Sequence, residues 1–153
     1  MSNGYIVTSG AALALSAATA RTMVAVVAAA NVTARLVEFG VSFDGVTSTA
    51  IPVLVELCDG SGGAAGTSTS QTPRQIRGNP RTVQCAGANT YTAGNEPTTL
   101  TVIKQWLVHP QTGIVVQFPL GREPEHAGAG GLMIRLTAPA TVNARGYLEF
   151  EEG

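Results

Sequence analysis

The composition of this 153-residue chain excludes several classes of protein. Hydrophobic residues make up 44% and charged residues only 12%, about half the usual charged share, which is the reverse of a disordered chain. A domain of this size buries roughly 70% of its unfolded surface and needs no metal or disulfide to hold a core. The net charge of −1 and the sparse surface charge suit a subunit that buries area against neighbours.

The charges indicate neither a nucleic-acid partner nor a membrane. The nearest approach to a basic cluster is Arg74, Arg77 and Arg81, which we interpret as a candidate partner interface on a loop. Residues 11–30 are apolar-rich, but Arg21 interrupts them, so no membrane helix is predicted. The start of the chain lacks the positive charge of a signal peptide.

The first thirty residues predict two elements. Residues 1–20 alternate weakly but carry many small apolar residues, and two interpretations are equally open. The segment is either an N-terminal arm that adds a strand to a neighbouring subunit or the shell, or an ordinary first strand. Residues 22–30 predict a fully buried strand, with a helix as the alternative because of their alanines.

Two strands with one wet face follow. Residues 35–43 alternate, with one face formed by Val37, Phe39, Val41 and Phe43. The pair Asp44–Gly45 predicts a turn, and residues 51–57 predict the next strand, apolar at 53, 55 and 57 and ended by Asp59–Gly60.

Residues 59–81 are rich in Gly, Ser, Thr and Pro, with residues 62–66 at their centre, and predict a long loop. Such a loop is too long for an idle connection in a compact domain, so we expect it to be mobile or ordered by a partner. A shorter glycine-rich loop is predicted at 121–131, where His126 should be solvated.

The second half predicts further short strands. Residues 101–108 and 113–118 each alternate, and the turn 109–113 between them predicts a hairpin. Strands are also predicted at 132–136 and 143–151. Trp106 and Phe39 occupy apolar positions of period two and are predicted core residues.

This pattern of short strands with Gly, Pro, Asn and Asp between them predicts an all-β fold. We expect one domain, residues 1–153, built as an antiparallel β-sandwich, with the jelly roll as the preferred topology.

No catalytic constellation is readable. The only histidines, His109 and His126, lie outside any nucleophile motif, and no cofactor or metal site is predicted. Glu56 and Glu149 could face each other across a cleft, but cross-strand ion pairs with Arg135 or Arg145 are the commoner use of such residues. Two reduced thiols are favoured over a disulfide for Cys58 and Cys85.

Several runs of sequence carry a resemblance: residues 37–45 (VEFGVSFDG), 52–57 (PVLVEL), 109–113 (HPQTG), 119–121 (PLG), 136–140 (LTAPA) and 146–151 (GYLEFE). Over residues 33–152 the chain resembles small virion structural proteins of tailed phages and prophages of actinobacteria. The resemblance lies in the order of the runs and includes no chemical motif, so no site residues carry over.

The resemblance implies a head-decoration role and a homotrimer. We therefore expect a non-enzymatic capsid decoration (cement) protein, located in the virion and assembled in the host cytoplasm. Its partners would be itself and the major capsid protein or other virion proteins. The alternatives are a tail or host-attachment subunit and a glycan-binding β-sandwich module. Both should expose aromatic residues, and aromatics are only 5% of the chain.

Overall fold

The computed structural model describes residues 2–44, 51–60 and 68–153, in which thirteen β-strands are formed. Their bounds are β1 (Asn3–Thr8), β2 (Leu13–Leu15), β3 (Ala20–Val27), β4 (Thr33–Asp44), β5 (Val53–Gly60), β6 (Thr69–Gln71), β7 (Arg74–Arg77), β8 (Ala86–Asn89), β9 (Thr101–Val108), β10 (Ile114–Gln117), β11 (Glu125–Ala127), β12 (Gly131–Thr137) and β13 (Val142–Glu152). These described residues contain no helix, and therefore none that could span a membrane.

The strands form two sheets. One has seven strands in the order β10-β4-β13-β1-β7, with β11 also paired to β4 and β2 to β13. The other has six in the order β6-β8-β3-β12-β5-β9. All the strand pairs are antiparallel, and the inner faces of both sheets enclose one hydrophobic cluster. The predicted antiparallel β-sandwich is therefore confirmed, whereas the jelly-roll topology stays a prediction.

Most period-two predictions of the core hold. The side chains predicted to face inward from β5, β12 and β13 are fully buried: Val53, Val55, Leu57, Leu132, Ile134, Leu136, Leu148 and Phe150. Residues 20–27 form a buried strand rather than the alternative helix. Phe39 is fully buried, while Trp106 is partly buried and packs edge-on against it, with ring centroids 5.2 Å apart.

In β4 the predicted inward face is wrong at one position. The register with β13 shifts between Glu149 and Phe150, so that Glu149 pairs with Glu38 but Phe150 pairs with Leu36. Val37 is therefore the extra residue of a β-bulge, and Leu36 replaces it in the core. An alternation count cannot anticipate this, because a bulge reverses the side of every residue beyond it.

The turn at 109–113 is present, since the amides of Thr112 and Gly113 both donate to the carbonyl oxygen of His109. The predicted hairpin is nevertheless wrong. The strand before the turn, β9, pairs with β5 in the six-stranded sheet, and the strand after it, β10, pairs with β4 in the other. The turn therefore crosses between the sheets at one side of the sandwich.

Two long segments are more ordered than the sequence suggested. The first strand, β1, lies between β13 and β7 in its own sheet, with Tyr5 in the core. Within residues 1–20 the chain thus contributes an internal strand, which corrects the hypothesis of an arm that leaves the domain. Residues 59–81 were expected to be one loop but include the end of β5 and all of β6 and β7. The glycine-rich run at 62–66, and Gly45 of the predicted turn, lie outside the described residues.

Candidate functional site

The outward face of the seven-stranded sheet carries ordered rows of polar side chains. Strand register aligns Arg77, Gly4, Glu151, Arg35 and Glu125 in one row across five strands. Within this row Arg77 forms an ion pair with Glu151, and Arg35 pairs with Glu125 at 3.3 Å. Because opposite charges alternate along it, this row is balanced.

The next row on this face is not balanced. It aligns Arg74, Ile6, Glu149, Glu38 and Gln117, and it sets the carboxylates of Glu149 and Glu38 directly opposite each other. Burial, followed by repulsion from Glu38, raises the pKa of Glu149. Like charges at directly opposed positions destabilise a sheet, so this pair costs stability.

The third row contains an aromatic ring held over a glycine. Tyr147 pairs with Gly40, and a Cβ built on Gly40 would lie only 2.5 Å from Cε1 of the tyrosine ring. The ring therefore reaches across from β13 and lies over the backbone of β4, where any larger residue would displace it. A glycine inside an alternating strand was the sequence signal of this close approach.

Glu38 fixes the position of this ring. The hydroxyl of Tyr147 donates to Oε1 of Glu38, and Nε2 of Gln117 donates to Oε2 of the same carboxylate. Burial, with help from the bond to Glu38, raises the pKa of Tyr147 to about 12, so its hydroxyl stays protonated and remains a donor at neutral pH. Side chains of three adjacent strands thus hold one another in place.

A groove of about 280 Å³ runs beside the ring. Its floor and walls come from β4, β10, β13 and the turn before β10. The lining includes Gly40, Ser42, Thr112, Val115, Arg145 and Tyr147. Among the described residues that line it, Arg145 is the one that carries a charge, and Val115 is an exposed apolar side chain. We call this surface the Tyr147 groove.

The three arginines of the candidate partner interface have different surroundings. Arg74 and Arg77 lie in β7, and Arg81 lies in the segment that follows. Arg77 is paired with Glu151, whereas Arg81 lies 3.9 Å from the carboxylate of Glu152. Arg74 is exposed and has no ion pair with another described residue. Arg74 is therefore the one member of the three whose charge is not already paired with another described residue.

Glu152 is a buried anchor for the segment that carries Arg81. Its side chain has 0% exposure, and its Oε2 accepts hydrogen bonds from the backbone amides of Gln84 and Cys85 at 2.8 and 2.9 Å. A buried carboxylate is costly unless it is paired and hydrogen-bonded. Arg81 consequently has a structural function in addition to any contact with a partner.

His126 is not solvated as expected. It lies in β11 with its side chain 18% exposed, and its ring packs against Gly130, where a Cβ would collide with it. Its Nε2 is 2.9 Å from Oδ1 of Asp59, and its Nδ1 is 3.0 Å from the carbonyl oxygen of Ala127. Both ring nitrogens therefore lie beside oxygen atoms of the fold, which explains why the ring is packed rather than solvated.

The carboxylate pair considered from the sequence does not assemble. Glu56 lies on the six-stranded sheet and forms a cross-strand ion pair with Arg135 at 3.1 Å, whereas Glu149 lies on the other sheet. Glu149 faces Glu38, not Arg145. The structure thus confirms the structural interpretation of Glu56 and excludes the cleft between Glu56 and Glu149.

Cys58 and Cys85 are both free and buried. Desolvation raises the pKa of Cys58 to about 11 and that of Cys85 to about 12, so both are protonated and poor nucleophiles at neutral pH. In residues 2–44, 51–60 and 68–153, no three His, Cys, Asp or Glu side chains converge as metal ligands would.

Comparison with known proteins gives no relative. No protein-family model, no curated protein and no solved structure matches this chain. Any functional conclusion therefore rests on the residues themselves.

Proposed function

We propose that this chain is a non-enzymatic assembly subunit, specifically a capsid decoration protein of a tailed phage that forms a homotrimer and binds the major capsid protein or another virion protein. The proposal would place it in the virion, assembled in the host cytoplasm. The observation that carries the assembly role is the distribution of exposed apolar side chains.

Six large apolar side chains are exposed among the described residues, and they are not scattered. Five lie on β9 or β10, next to them, or just before β5: Ile51, Ile103, Leu107, Val115 and Leu120. The strands β9 and β10 are edge strands of the two sheets and are joined by the turn at 109–113, so they flank one side of the sandwich. Exposed apolar groups concentrated on one side of a small domain mark an interaction surface.

Leu107 is 75% exposed, and it lies opposite Leu54 of the neighbouring strand on the outward face of the six-stranded sheet. With Ile51 and Ile103 it forms what we call the β9 patch. Burial of this patch against copies of the chain would remove apolar area from water, at roughly 25 cal/mol per Å².

The edge of β9 carries two features that prevent another strand from pairing with it. Lys104 extends over the ring of Phe118, with Nζ 5.0 Å from the centroid, and a bulge interrupts the pairing at Leu57 and Cys58. A charged side chain directed towards the sandwich and a bulge are both devices that prevent edge-to-edge pairing. We therefore propose that subunits associate through side chains of the β9 patch rather than through a continuous sheet.

The polar groups considered as candidates for catalysis are mostly engaged within the fold. His126 contacts Asp59, Glu56 contacts Arg135, and Glu152 binds backbone amides. These contacts support a structural role. The single exposed, unpaired arginine of the candidate interface, Arg74, would contribute a charged contact at the opposite edge of the seven-stranded sheet.

The oligomeric state is tested by light scattering coupled to size-exclusion chromatography. We expect a trimer for the unaltered chain and dissociation for the double variant Ile51→Ser/Leu107→Ser, which removes two exposed side chains of the β9 patch. Ile76→Ser is the matched control, because Ile76 is also exposed but lies on β7, away from the β9 patch. A stable monomer at micromolar concentration would contradict the trimer, and dissociation by the control variant alone would contradict association through the β9 patch.

The location is tested on virions of the phage whose genome encodes the chain. A cryo-EM map should show a three-fold density of this size on the head surface, and the double variant should leave heads undecorated. Density on the tail would favour the tail or host-attachment alternative, and absence from the particle would end the virion proposal.

A further inference from the structure

We propose that the Tyr147 groove is a saccharide-binding site that accepts one pyranose ring on the outward face of the seven-stranded sheet. This inference does not depend on the virion role: the groove contains none of the three β9-patch residues, although Val115 lines it and is also one of the five exposed apolar residues on that side of the sandwich. Three features of the groove carry it: a fixed aromatic ring, a lining that includes three glycines, and hydroxyl and guanidinium groups.

The aromatic ring is presented as a platform. It lies over Gly40 and is held at its hydroxyl end by Glu38, which Gln117 fixes in turn. A ring already fixed loses little conformational entropy when a ligand packs on it. The C–H groups of a pyranose form an apolar face that can pack on such a ring, while its hydroxyls need polar partners at the edges.

The groove supplies polar partners in matching positions. Ser42 lies opposite Arg145 in the strand register, and both line the groove together with Thr112. The two hydroxyls already donate to backbone carbonyl oxygens, that of Ser42 to Arg145 and that of Thr112 to His109, so they offer acceptors to a sugar. The guanidinium of Arg145 offers donors, and Val115 contributes an exposed apolar side chain. A ligand with one apolar face and a polar rim suits this lining better than a wholly apolar or a polyanionic ligand.

The small volume of the groove limits the ligand to a single small unit, and the position of the end wall depends on a glycine. At about 280 Å³ the groove is slightly smaller than the usual range for small-molecule sites, and it is open to solvent along the sheet. In Gly113, φ is +63°, and a Cβ there would come within 2.5 Å of the carbonyl oxygen of Val41. The close approach of the 109–113 turn to β4, which forms the end wall, therefore requires glycine.

The carboxylates of Glu38 and Glu149 lie just beyond the ring. The hydroxyl of Tyr147 and the side-chain amide of Gln117 donate to the carboxylate of Glu38. No side chain among the described residues donates to the carboxylate of Glu149, which lies opposite Glu38. A sugar hydroxyl that extends past the ring could donate to Glu149. Neutral and acidic sugars have the same apolar ring face, so both could pack on Tyr147. The positive charge of Arg145 would favour a sugar that carries a carboxylate.

The test is a titration of the full chain followed by ¹H–¹⁵N spectra. The probes are methyl glycosides of glucose, galactose, mannose and N-acetylglucosamine for neutral sugars, and of galacturonic acid for acidic ones. We expect saturable shifts at Gly40, Gly113, Val115 and Tyr147 with at least one probe. A preference for the galacturonide that Arg145→Gln abolishes would identify an acidic sugar.

Two variants remove the platform in different ways. Tyr147→Leu keeps an apolar group but loses the flat ring, and we expect affinity to fall about tenfold, the equivalent of the aromatic contribution. Tyr147→Phe keeps the ring and loses only the bond to Glu38, so it should retain most binding. Leu107→Ser, on the other sheet, is the control and should bind normally.

The inference is overturned if no probe shifts these residues at tens of millimolar, or if Tyr147→Leu binds as well as the unaltered chain. Shifts confined to the β9 patch would likewise count against it. A negative result in these titrations would leave the assembly proposal intact, because that proposal is tested by the oligomeric state of the chain and by its location in the particle.

Discussion

The pairing of Arg81 with the buried carboxylate of Glu152 gives the sharpest prediction, because it separates the structural from the binding function of the candidate interface. In Arg81→Ala the carboxylate keeps its bonds to the amides of Gln84 and Cys85 but loses its only cation among the described residues. Removing one partner of a fully buried ion pair costs about 3–5 kcal/mol. Arg81 is 47% exposed and 3.9 Å away, so screening by water lowers the expected cost to about 1–2 kcal/mol.

Glu152→Ala should cost more. It leaves the amides of Gln84 and Cys85 without their acceptor, and each such unsatisfied donor costs about 1–3 kcal/mol when buried, which gives roughly 2–6 kcal/mol in total as an upper range because the Gln84 amide is only partly buried. In the double variant Arg81→Ala/Glu152→Ala the uncompensated carboxylate is gone. The combined cost should therefore be smaller than the sum of the two single costs.

The assay is urea unfolding followed by tryptophan fluorescence, with Arg74→Ala as the matched control. Arg74 is exposed and unpaired among the described residues, so its loss should change stability by less than about 0.5 kcal/mol. If Arg81→Ala proves as neutral as Arg74→Ala, or if the two single costs simply add, the reasoning is refuted. Interface experiments should accordingly use Arg74→Ala, because replacing all three arginines also weakens the fold.

Two further predictions concern the core and the buried acids. Phe39→Ala removes a fully buried ring that contacts Trp106 and Phe118, and it should cost about 3–5 kcal/mol, measured by the same unfolding assay, with normal stability of the variant as the contrary result. Cys58 and Cys85 have pKa values raised from 9.0 to about 11 and about 12, so their contribution to stability is complete below pH 9.0 and is lost as the pH rises through 11 to 12. The unfolding midpoint should fall over that range, and iodoacetamide at pH 8 should label the thiols only in urea; labelling of the native chain would contradict the burial.

The parts of the fold that depend on local pattern were predictable from the sequence. Where a strand stays in register, alternation of apolar and polar residues assigns each side chain to a face, as it does for β5 and β12. The class of fold followed from the number of such strands and the glycine-rich segments between them. The reduced state of the cysteines and the ion pair of Glu56 were also within reach, although as favoured alternatives.

Register and partner choice came only from the tertiary structure. Whether residues 1–20 form an arm or an internal strand depends on which edge β1 meets, and nothing in its own residues specifies that β13 and β7 lie on either side. The 109–113 turn could close a hairpin or cross between sheets with the same local geometry. In each case the deciding interaction is between residues distant in sequence.

The Tyr147 groove shows the same division. The sequence by itself determined that Gly40 and Tyr147 lie in strands and face away from the core, because each sits between apolar neighbours of period two. Only the pairing of β4 with β13 set the ring over the glycine and Glu38 against Glu149, both in the regular register that ends at the bulge at Val37. Period two determines the face of each strand locally, whereas the neighbours on that face are set by long-range hydrogen bonding between strands more than a hundred residues apart.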